Sequence, residues 1–443
     1  MERYDLLYRL YDEFDVETLR EYQSFVDLFP PVDSRVALDH WEEVSDELDR
    51  LKRQIRESFP AGSTFAEIAA RADRETAFTA LDLFARYDRA VNALVLDVDE
   101  TLRSAGQTDN EIPRETLHIL TEIHESGVPI VICTGQTLEN VKGFMIQGFG
   151  NELVHSGTLS IVYEAGNGVF TPGHGSQTKR LLYQDLGADV RSIFERVRTR
   201  ALSAAPDNVR RGCHLQGNEF NVTLKPNFET GSADAEAVID DGLVHLIDVL
   251  GAAVAERVED DIDASAGDTE HGTSAGDTER DASAVRANRG AAWARAHYAA
   301  ADPEIRDVLE ASGIEPAAGG PDGSVAIPDP VASLFDEIDV AYYRGDAAEI
   351  GSLELDKVAG VEAAFDVLDV TDPFALVMGD SKSDRRVMEW AAASDAGIAA
   401  APEHASADVL SHVLDHDELV FDRGQSAKVL RTAYVMNLFA RLE

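Results

Sequence analysis

The run Ala-Leu-Val-Leu-Asp-Val-Asp-Glu-Thr-Leu at positions 93–102 constrains the fold more than any other stretch of this sequence. Its apolar half, residues 93–96, has the length and composition of a buried strand. The strand ends in Asp97 and Asp99, and ionised groups beside an apolar interior are costly unless they are paired or bind a metal. Such a pair is useful at the carboxyl end of a parallel strand, where open α/β sheets bind ligands. We therefore predict an α/β fold with a site after this strand.

The chemistry of two such carboxylates suits phosphoryl transfer. One can attack phosphorus, the other can protonate the leaving oxygen, and both can help to hold a divalent cation. The same residues also fit an ordinary acidic turn after a strand. The choice between these interpretations depends on the segments that follow.

A second apolar run, residues 128–133, ends in Thr134 and Gly135. A hydroxyl at this position can donate to a phosphate oxygen, and glycine lets the backbone N–H approach the same group. The alternative is a strand-to-helix turn in which Thr134 caps the helix.

Two further segments carry charged residues at the ends of predicted elements. Lys357 is one of only seven lysines and stands at the start of a predicted helix, where it can neutralise phosphate charge or simply face solvent. Asp380 and Asp384 follow the apolar run 375–378. They can bind Mg²⁺, or Asp384 can orient Lys357, but an acidic turn with a helix cap fits equally well.

These four segments, in this order, resemble the motifs of the haloacid dehalogenase superfamily of aspartate-nucleophile phosphatases. The resemblance covers about 91–175 and 346–415, and it is closest to the Cof-type branch, which has a large cap between its second and third motifs. Gly166-Asn167-Gly168-Val169 is similar to the segment that precedes this cap.

The resemblance implies a role for each motif residue. Asp97 would be the nucleophile, and Asp99 the general acid and then the base. Phosphate binding is implied for Thr134, Gly135 and Lys357, and Mg²⁺ binding for Asp97, Asp99 (through its main-chain carbonyl), Asp380 and Asp384. Two positions depart from the usual pattern, since Glu100 stands where glycine is usual and Ser383 where asparagine is common.

The pattern of apolar residues divides the chain into regions. We predict an N-terminal helical region at 1–90 and a Rossmann-like parallel-sheet core at 91–171 and 346–443. An α+β cap domain would be inserted at 172–345. Within it, residues 263–283 repeat Ser-Ala-Gly-Asp-Thr-Glu and have few large apolar side chains, which predicts a disordered loop.

Composition excludes several classes of partner. The chain has 39 Lys and Arg against 82 Asp and Glu, a net charge of −43, which argues against binding nucleic acid or an anionic membrane. An acidic, lysine-poor composition is typical of cytoplasmic proteins of salt-accumulating halophiles, although an acidic surface kept for a basic partner is an alternative. Two cysteines exclude a disulfide framework. No signal segment or membrane span is expected.

The sequence thus predicts a cytoplasmic, Mg²⁺-dependent phosphatase that acts on a small phosphorylated metabolite, such as a phosphosugar or a phosphorylated small acid. A phosphomutase that uses the same aspartate, or a regulatory protein that retains the fold without activity, are the alternatives. Residues 1–90 are a candidate for self-association. Arg210, Arg211, His214, Asn218 and Lys225 are candidate cap contacts that equally fit a solvent-facing role.

Overall fold

The structure, a computed structural model, describes residues 2–29, 35–103, 111–175, 178–218, 220–266, 276–314 and 326–442. The chain divides into a core unit, Met1–Leu181 with Lys357–Glu443, and an inserted unit, Leu182–Asp356. The insertion therefore begins at residue 182, where the sequence suggested 172, and ends at 356, where it suggested 345.

The N-terminal region is helical and belongs to the core unit. Its helices are α1 (Glu2–Glu13), α2 (Val16–Leu28), α3 (Arg35–Ser58), α4 (Gly62–Arg71) and α5 (Arg74–Tyr87). Apolar side chains on these helices share one hydrophobic cluster with the sheet and with the C-terminal helix α17 (Ser426–Ala440), among them Leu7, Leu10, Phe65, Ile68, Leu81, Phe84, Leu430 and Phe439. The region thus packs on the core and does not form a unit of its own.

The core unit contains an eight-stranded sheet in the order β12-β11-β10-β1-β2-β3-β4-β5. Its strands are β1 (Ala93–Leu96), β2 (Ile130–Cys133), β3 (Leu159–Tyr163), β4 (Gly168–Phe170), β5 (Lys179–Leu181), β10 (Ala375–Met378), β11 (Gly397–Pro402) and β12 (Leu419–Phe421). The six strands from β12 to β3 are parallel, and β4 and β5 are antiparallel. This arrangement confirms the predicted α/β class with a parallel-sheet core.

Helices connect the parallel strands, as crossover connections require. They are α6 (Arg114–Glu125), α7 (Leu138–Val154), α14 (Lys357–Val367), α15 (Lys382–Ala393) and α16 (Ala407–Asp415). The strands predicted at 93–96 and 375–378 coincide with the observed ones, and the run 128–133 forms a strand only from Ile130.

The inserted unit has a four-stranded antiparallel sheet in the order β6-β7-β9-β8. Its strands are β6 (Cys213–Gln216), β7 (Asn221–Pro226), β8 (Ile338–Tyr343) and β9 (Ala347–Ser352). Its helices are α8 (Ala188–Ser203), α9 (Asp207–Gly212), α10 (Ser232–Ala266), α11 (Gly276–Ala301), α12 (Pro303–Ala311) and α13 (Asp329–Asp336). It is an α+β unit.

The prediction of disorder over 263–283 is wrong at both ends of the segment. Helix α10 extends to Ala266 and α11 begins at Gly276, while residues 267–275 lie outside the described part of the chain. The two helices pack on each other, and Gly251 and Gly290 allow their backbones to approach closely. Residues 263–266 and 276–283 therefore continue these two helices.

Asp302 and Pro303 separate α11 from α12. Asp302 is the N-cap of α12, and its side chain accepts a hydrogen bond from the N–H of Glu304. Within the described ranges, no helix is both long enough and apolar enough to cross a membrane.

Candidate active site

The predicted site residues follow neighbouring strands of the core sheet. In the register of the sheet, Leu96 at the end of β1 is level with Ile132 of β2 and Met378 of β10. The residues that follow these strands therefore lie at one edge of the sheet. Asp97, Thr134 and Asp380 come to this edge from segments that are far apart in the sequence.

Lys357 joins two of the predicted aspartates directly. Its Nζ lies 3.0 Å from Oδ1 of Asp97 and 2.5 Å from Oδ1 of Asp384. The lysine is only 4% exposed, so the alternative of a solvent-facing lysine at a helix start is wrong. The first residue of α14 thus brings a buried cation to the aspartate that follows β1.

Asp384 has a double role in this arrangement. Its Oδ2 accepts hydrogen bonds from the backbone N–H and the hydroxyl of Ser381, which makes the capping box of α15. Its other oxygen binds Lys357. A side chain at Gly379 would collide with Asp384, because its Cβ would lie 2.3 Å from the Cβ of the aspartate. The cap and the orientation of Lys357, which were alternatives in the sequence, therefore occur together.

The charges at this edge do not balance. Burial and the charges of Asp384 and Asp380 raise the pKa of Asp97 well above its usual range, although Lys357 opposes the shift. Burial, Asp384 and Glu100 raise the pKa of Asp380 to about 7. Burial alone would lower the pKa of Lys357, but Asp384 and Asp97 outweigh it and keep the lysine charged. One ammonium group thus faces an excess of carboxylates.

This excess fits a divalent cation. Carboxylate oxygens of Asp97, Asp380 and Asp384 lie within 4.8 Å of one another. Hard oxygen ligands of this kind are those that Mg²⁺ prefers, and a bound cation would relieve the repulsion that raises the pKa of Asp97 and Asp380. Since both oxygens of Asp384 are already engaged, Asp97 and Asp380 are better placed to be direct ligands.

Asp99 is held by two side chains that the sequence analysis missed. Oδ1 accepts hydrogen bonds from Nε and Nη2 of Arg103 at 3.0 and 2.8 Å, and Oδ2 accepts one from Nε2 of Gln136. The guanidinium is buried. Arg103 follows Asp99 by four residues and Gln136 follows Gly135 by one, so both lie inside the motifs, where their types alone gave no signal.

Thr134 and Gly135 follow β2 at the same edge. Thr134 is 1% exposed, and its hydroxyl accepts a hydrogen bond from the backbone N–H of Gln136. Helix α7 is capped at Thr137, so the alternative in which Thr134 caps this helix is wrong. A side chain at Gly135 would meet no protein atom within 4 Å, and the backbone here is open to a ligand.

The turn after Asp99 has an unusual conformation. Glu100 has φ 59°, in the left-handed region that favours glycine and costs other residues on the order of 1–2 kcal/mol. Nε2 of His404 lies 3.1 Å from the carbonyl oxygen of Glu100 and 3.2 Å from its Oε2, and Nη2 of Arg423 lies 3.0 Å from the same Oε2. Neither contact was predicted, because His404 and Arg423 lie hundreds of residues downstream of Glu100.

A second charged cluster in the core unit also has the ligand types of a metal site. Atoms of Asp27, His118 and Glu122 lie within 4.8 Å of one another. The guanidinium of Arg71, however, forms ion pairs with both carboxylates of this group and with Glu67. His118 Nε2 lies 3.2 Å from Asp27 and 3.4 Å from Glu122. Protein cations already neutralise this cluster, which we call the helix cluster.

The candidate contacts of the inserted unit lie on its surface or bind neighbouring residues. Arg210 forms an ion pair with Asp207, and Lys225 lies 3.3 Å from Asp346. His214 lies 3.0 Å from Gln216, the carbonyl of Asn218 accepts from Arg198, and Arg211 is exposed. None of these contacts singles out a ligand.

Comparison with known proteins agrees with the geometry. A family model described as haloacid dehalogenase-like hydrolase matches residues 94–185, which contain Asp97, Asp99, Thr134 and Gly135. A search of the curated proteins finds no match to this sequence.

Several solved structures are similar to this chain at low sequence identity. A haloacid dehalogenase-like hydrolase from Bacteroides thetaiotaomicron is 13% identical, with a TM-score of 0.37, and covers 78% of this chain and 98% of its own. A trehalose-6-phosphate phosphatase from Aspergillus fumigatus is 12% identical, with a TM-score of 0.40, and covers 81% and 97%. A sugar phosphatase of haloacid dehalogenase subclass IIB is 14% identical, with a TM-score of 0.40, and covers 78% and 99%. The resemblance to the family rests on the matched region and on the site residues within it.

Proposed function

We propose that the chain is a haloacid dehalogenase-like hydrolase of the phosphatase type, and that it hydrolyses a small phosphorylated metabolite with Mg²⁺ through an aspartyl-phosphate on Asp97. One observation carries the proposal. A buried lysine from the third motif bridges the aspartate of the first motif and an aspartate of the fourth, within a cluster of three carboxylates. A protein that had lost activity would have no chemical reason to bury this combination.

The first half of the reaction forms a bond between Asp97 and phosphorus. A carboxylate oxygen of Asp97 attacks, the bond from phosphorus to the leaving oxygen breaks, and Asp99 gives that oxygen a proton. Lys357 and the backbone near Thr134 would stabilise the charge on the transferring phosphoryl group. Mg²⁺, when bound by Asp97 and Asp380, would neutralise phosphate charge and align the group with the nucleophile.

The second half of the reaction returns Asp97 to its free state. Asp99, now ionised, takes a proton from a water molecule that attacks phosphorus, and the bond from phosphorus to Asp97 breaks. Arg103 and Gln136 hold the Asp99 carboxylate in a fixed orientation, which supports its use at two successive steps.

The substrate class that we propose is compact, either a phosphosugar or a phosphorylated small acid. The support is the place of the inserted unit in the chain, since it follows the second motif and ends directly before Lys357. By analogy with Cof-type enzymes, such an insertion would select the substrate and limit the access of water. Location in the cytoplasm, a high-salt environment and self-association through residues 1–90 are also proposals, from composition and helical content.

Turnover of a generic substrate is the direct test. Release of phosphate from p-nitrophenyl phosphate and from a panel of phosphosugars and phosphorylated acids would be measured in molar KCl, with and without Mg²⁺. The variants would be the wild type and Asp97→Asn, with Asp88→Asn as a matched control, an acidic residue at the end of α5.

We expect Mg²⁺-dependent turnover by the wild type and by Asp88→Asn, and none by Asp97→Asn. Folded wild-type protein that releases no phosphate from any of these compounds would contradict the proposal. Transfer of phosphate to a second position of a sugar, without release, would favour a mutase.

A further inference from the structure

We propose that His404 is a positioning residue that holds the strained turn at Glu100. It thereby fixes the distance between the carbonyl of Asp99 and the carboxylate of Asp380, the groups that would bind the cation. The inference rests on the proposed Mg²⁺ site and assigns a role to His404, which lies outside the motif pattern. The loop after β11 contacts two turns. One is the turn after β1, which carries Asp99 and Glu100, and the other is the turn after β10, which carries Asp380.

The turn after β1 needs an external support. Glu100 adopts φ 59° without the freedom of a glycine. Strained backbone of this kind persists only where the surrounding structure holds it, and it clusters at functional sites. Because the carbonyl of Glu100 can only accept, the nitrogen of His404 that contacts it must carry the hydrogen. The imidazole N–H therefore donates to the backbone of the strained residue, and the same nitrogen lies 3.2 Å from its Oε2.

The same loop also holds the turn after β10. The backbone N–H of Ser406 donates to the carbonyl oxygen of Asp380 at 2.9 Å. Residues 404–406 therefore contact Glu100, which follows Asp99, and Asp380 itself. A rigid link between the two turns sets the distance between the groups that would bind the cation, which is how residues outside the ligand set control metal affinity.

The carboxylate of Glu100 also lies close to His404. This carboxylate acts on Asp380, and an additional negative charge beside the cluster would draw the turn towards the cation. Nε2 of His404 and Nη2 of Arg423 lie 3.2 and 3.0 Å from Oε2 of Glu100. Of these two, His404 is the more buried, at 22% exposure against 53% for Arg423, so its contact is the better defined.

A double-mutant cycle with direct binding as its readout tests the inference. Mg²⁺ binding would be measured by calorimetry, without substrate, for the wild type, His404→Ala, His404→Gln, Glu100→Gly and the double variant Glu100→Gly/His404→Ala. His155→Ala, an exposed histidine of the same unit, is the matched control. Circular dichroism would establish that each variant is folded.

We expect His404→Ala to weaken Mg²⁺ binding about tenfold and His404→Gln, which keeps a donor, to recover part of the loss. In the Glu100→Gly background, where the turn is no longer strained, removal of His404 should have little further effect. His155→Ala should bind like the wild type.

Three results would overturn the inference. If His404→Ala binds Mg²⁺ as tightly as the wild type, or loses the same factor in the Glu100→Gly background, the turn does not depend on His404. Absence of Mg²⁺ binding by the wild type also overturns it. Phosphate release from p-nitrophenyl phosphate separates failure of this inference from failure of the proposed function. If the wild type releases phosphate and His404→Ala is unaffected, the proposed function stands.

Discussion

Two clusters of ionisable side chains in the core unit contain similar residues, but the pKa values of their carboxyl groups shift in opposite directions. In the site cluster, defined by Asp97, Lys357, Asp380 and Asp384, burial and mutual repulsion raise the pKa of two carboxyl groups. In the helix cluster, burial would raise the pKa of Asp27, but the hydrogen bond from His118 and the charge of Arg71 lower it below its usual value.

The difference separates a binding site from a structural ion-pair network. In both clusters the ligand atoms lie within 4.8 Å of one another. In the helix cluster the cations are Arg71 and His118, and the charges stabilise one another without a ligand. In the site cluster a single lysine leaves negative charge unbalanced. The types of ligand residue alone therefore do not identify a cation site. The balance of charge between the carboxylates and the protein's own cations does.

Removal of the cation in each cluster should have its largest effect on a different property. Lys357→Met should reduce turnover about a thousandfold, because a preorganised charge at the transferring group is lost. Steady-state phosphate release from p-nitrophenyl phosphate measures this. Lys142→Met, which removes a lysine of α7 that contacts the ring of Phe170, should stay within about twofold of the wild type. Equal losses in both variants would contradict the role of Lys357.

Arg71→Met should mainly affect stability. Loss of the guanidinium leaves two half-buried carboxylates without their partner, which should lower the free energy of unfolding by about 3 kcal/mol. Denaturant unfolding in a fixed salt concentration would measure the change, and turnover per folded molecule should be retained. Loss of turnover with unchanged stability would show that the comparison between the clusters is wrong.

Mg²⁺ should stabilise the protein through the site cluster alone. At a hundred times its dissociation constant, a ligand of the folded state adds about 2.7 kcal/mol to the free energy of unfolding. We expect this gain for the wild type and for Asp27→Asn, and its loss in Asp380→Asn. Thermal unfolding with and without Mg²⁺ provides the measurement. A gain that disappears in Asp27→Asn would move the cation to the helix cluster.

The helix cluster should make stability depend on pH. Hydrogen bonds to Asp27 and Glu122 raise the pKa of His118 from 6.5 to about 9. Because the protonated form is favoured in the folded state, this contribution is complete below pH 6.5 and is lost as the pH rises through about 9. We expect a loss on the order of 1–2 kcal/mol, since the half-exposed ring is partly screened.

His118→Gln is the control for this pH dependence. Denaturant unfolding between pH 6 and 10 should show a smaller decline for the variant than for the wild type. Identical profiles for the two proteins would assign the dependence to other groups.

The sequence was sufficient to predict the strands and the motif residues because both depend on local patterns. Apolar runs that end in Asp97, Thr134 and Asp380 indicate parallel strands and the edge at which they meet. The charged partners were not predictable in the same way. His404 contacts Glu100 across 304 positions, and Arg71 contacts Glu122 through helices whose packing no periodicity specifies.

The composition of residues 263–283, taken alone, led to a wrong prediction of disorder at the two ends of this segment. Residues 276–283 have little apolar surface, yet they form the start of α11. A segment's own composition does not report the neighbours that it meets in the fold.

The most direct test of the central claim is detection of phosphate on Asp97. The wild type would be mixed with p-nitrophenyl phosphate and Mg²⁺ in molar KCl, quenched in acid within milliseconds, and digested for mass spectrometry. The account predicts one added phosphoryl group on the peptide that contains Asp97, dependent on Mg²⁺ and absent in Asp97→Asn. Turnover by the wild type with no phosphorylated aspartate, or with phosphate on another residue, would contradict it.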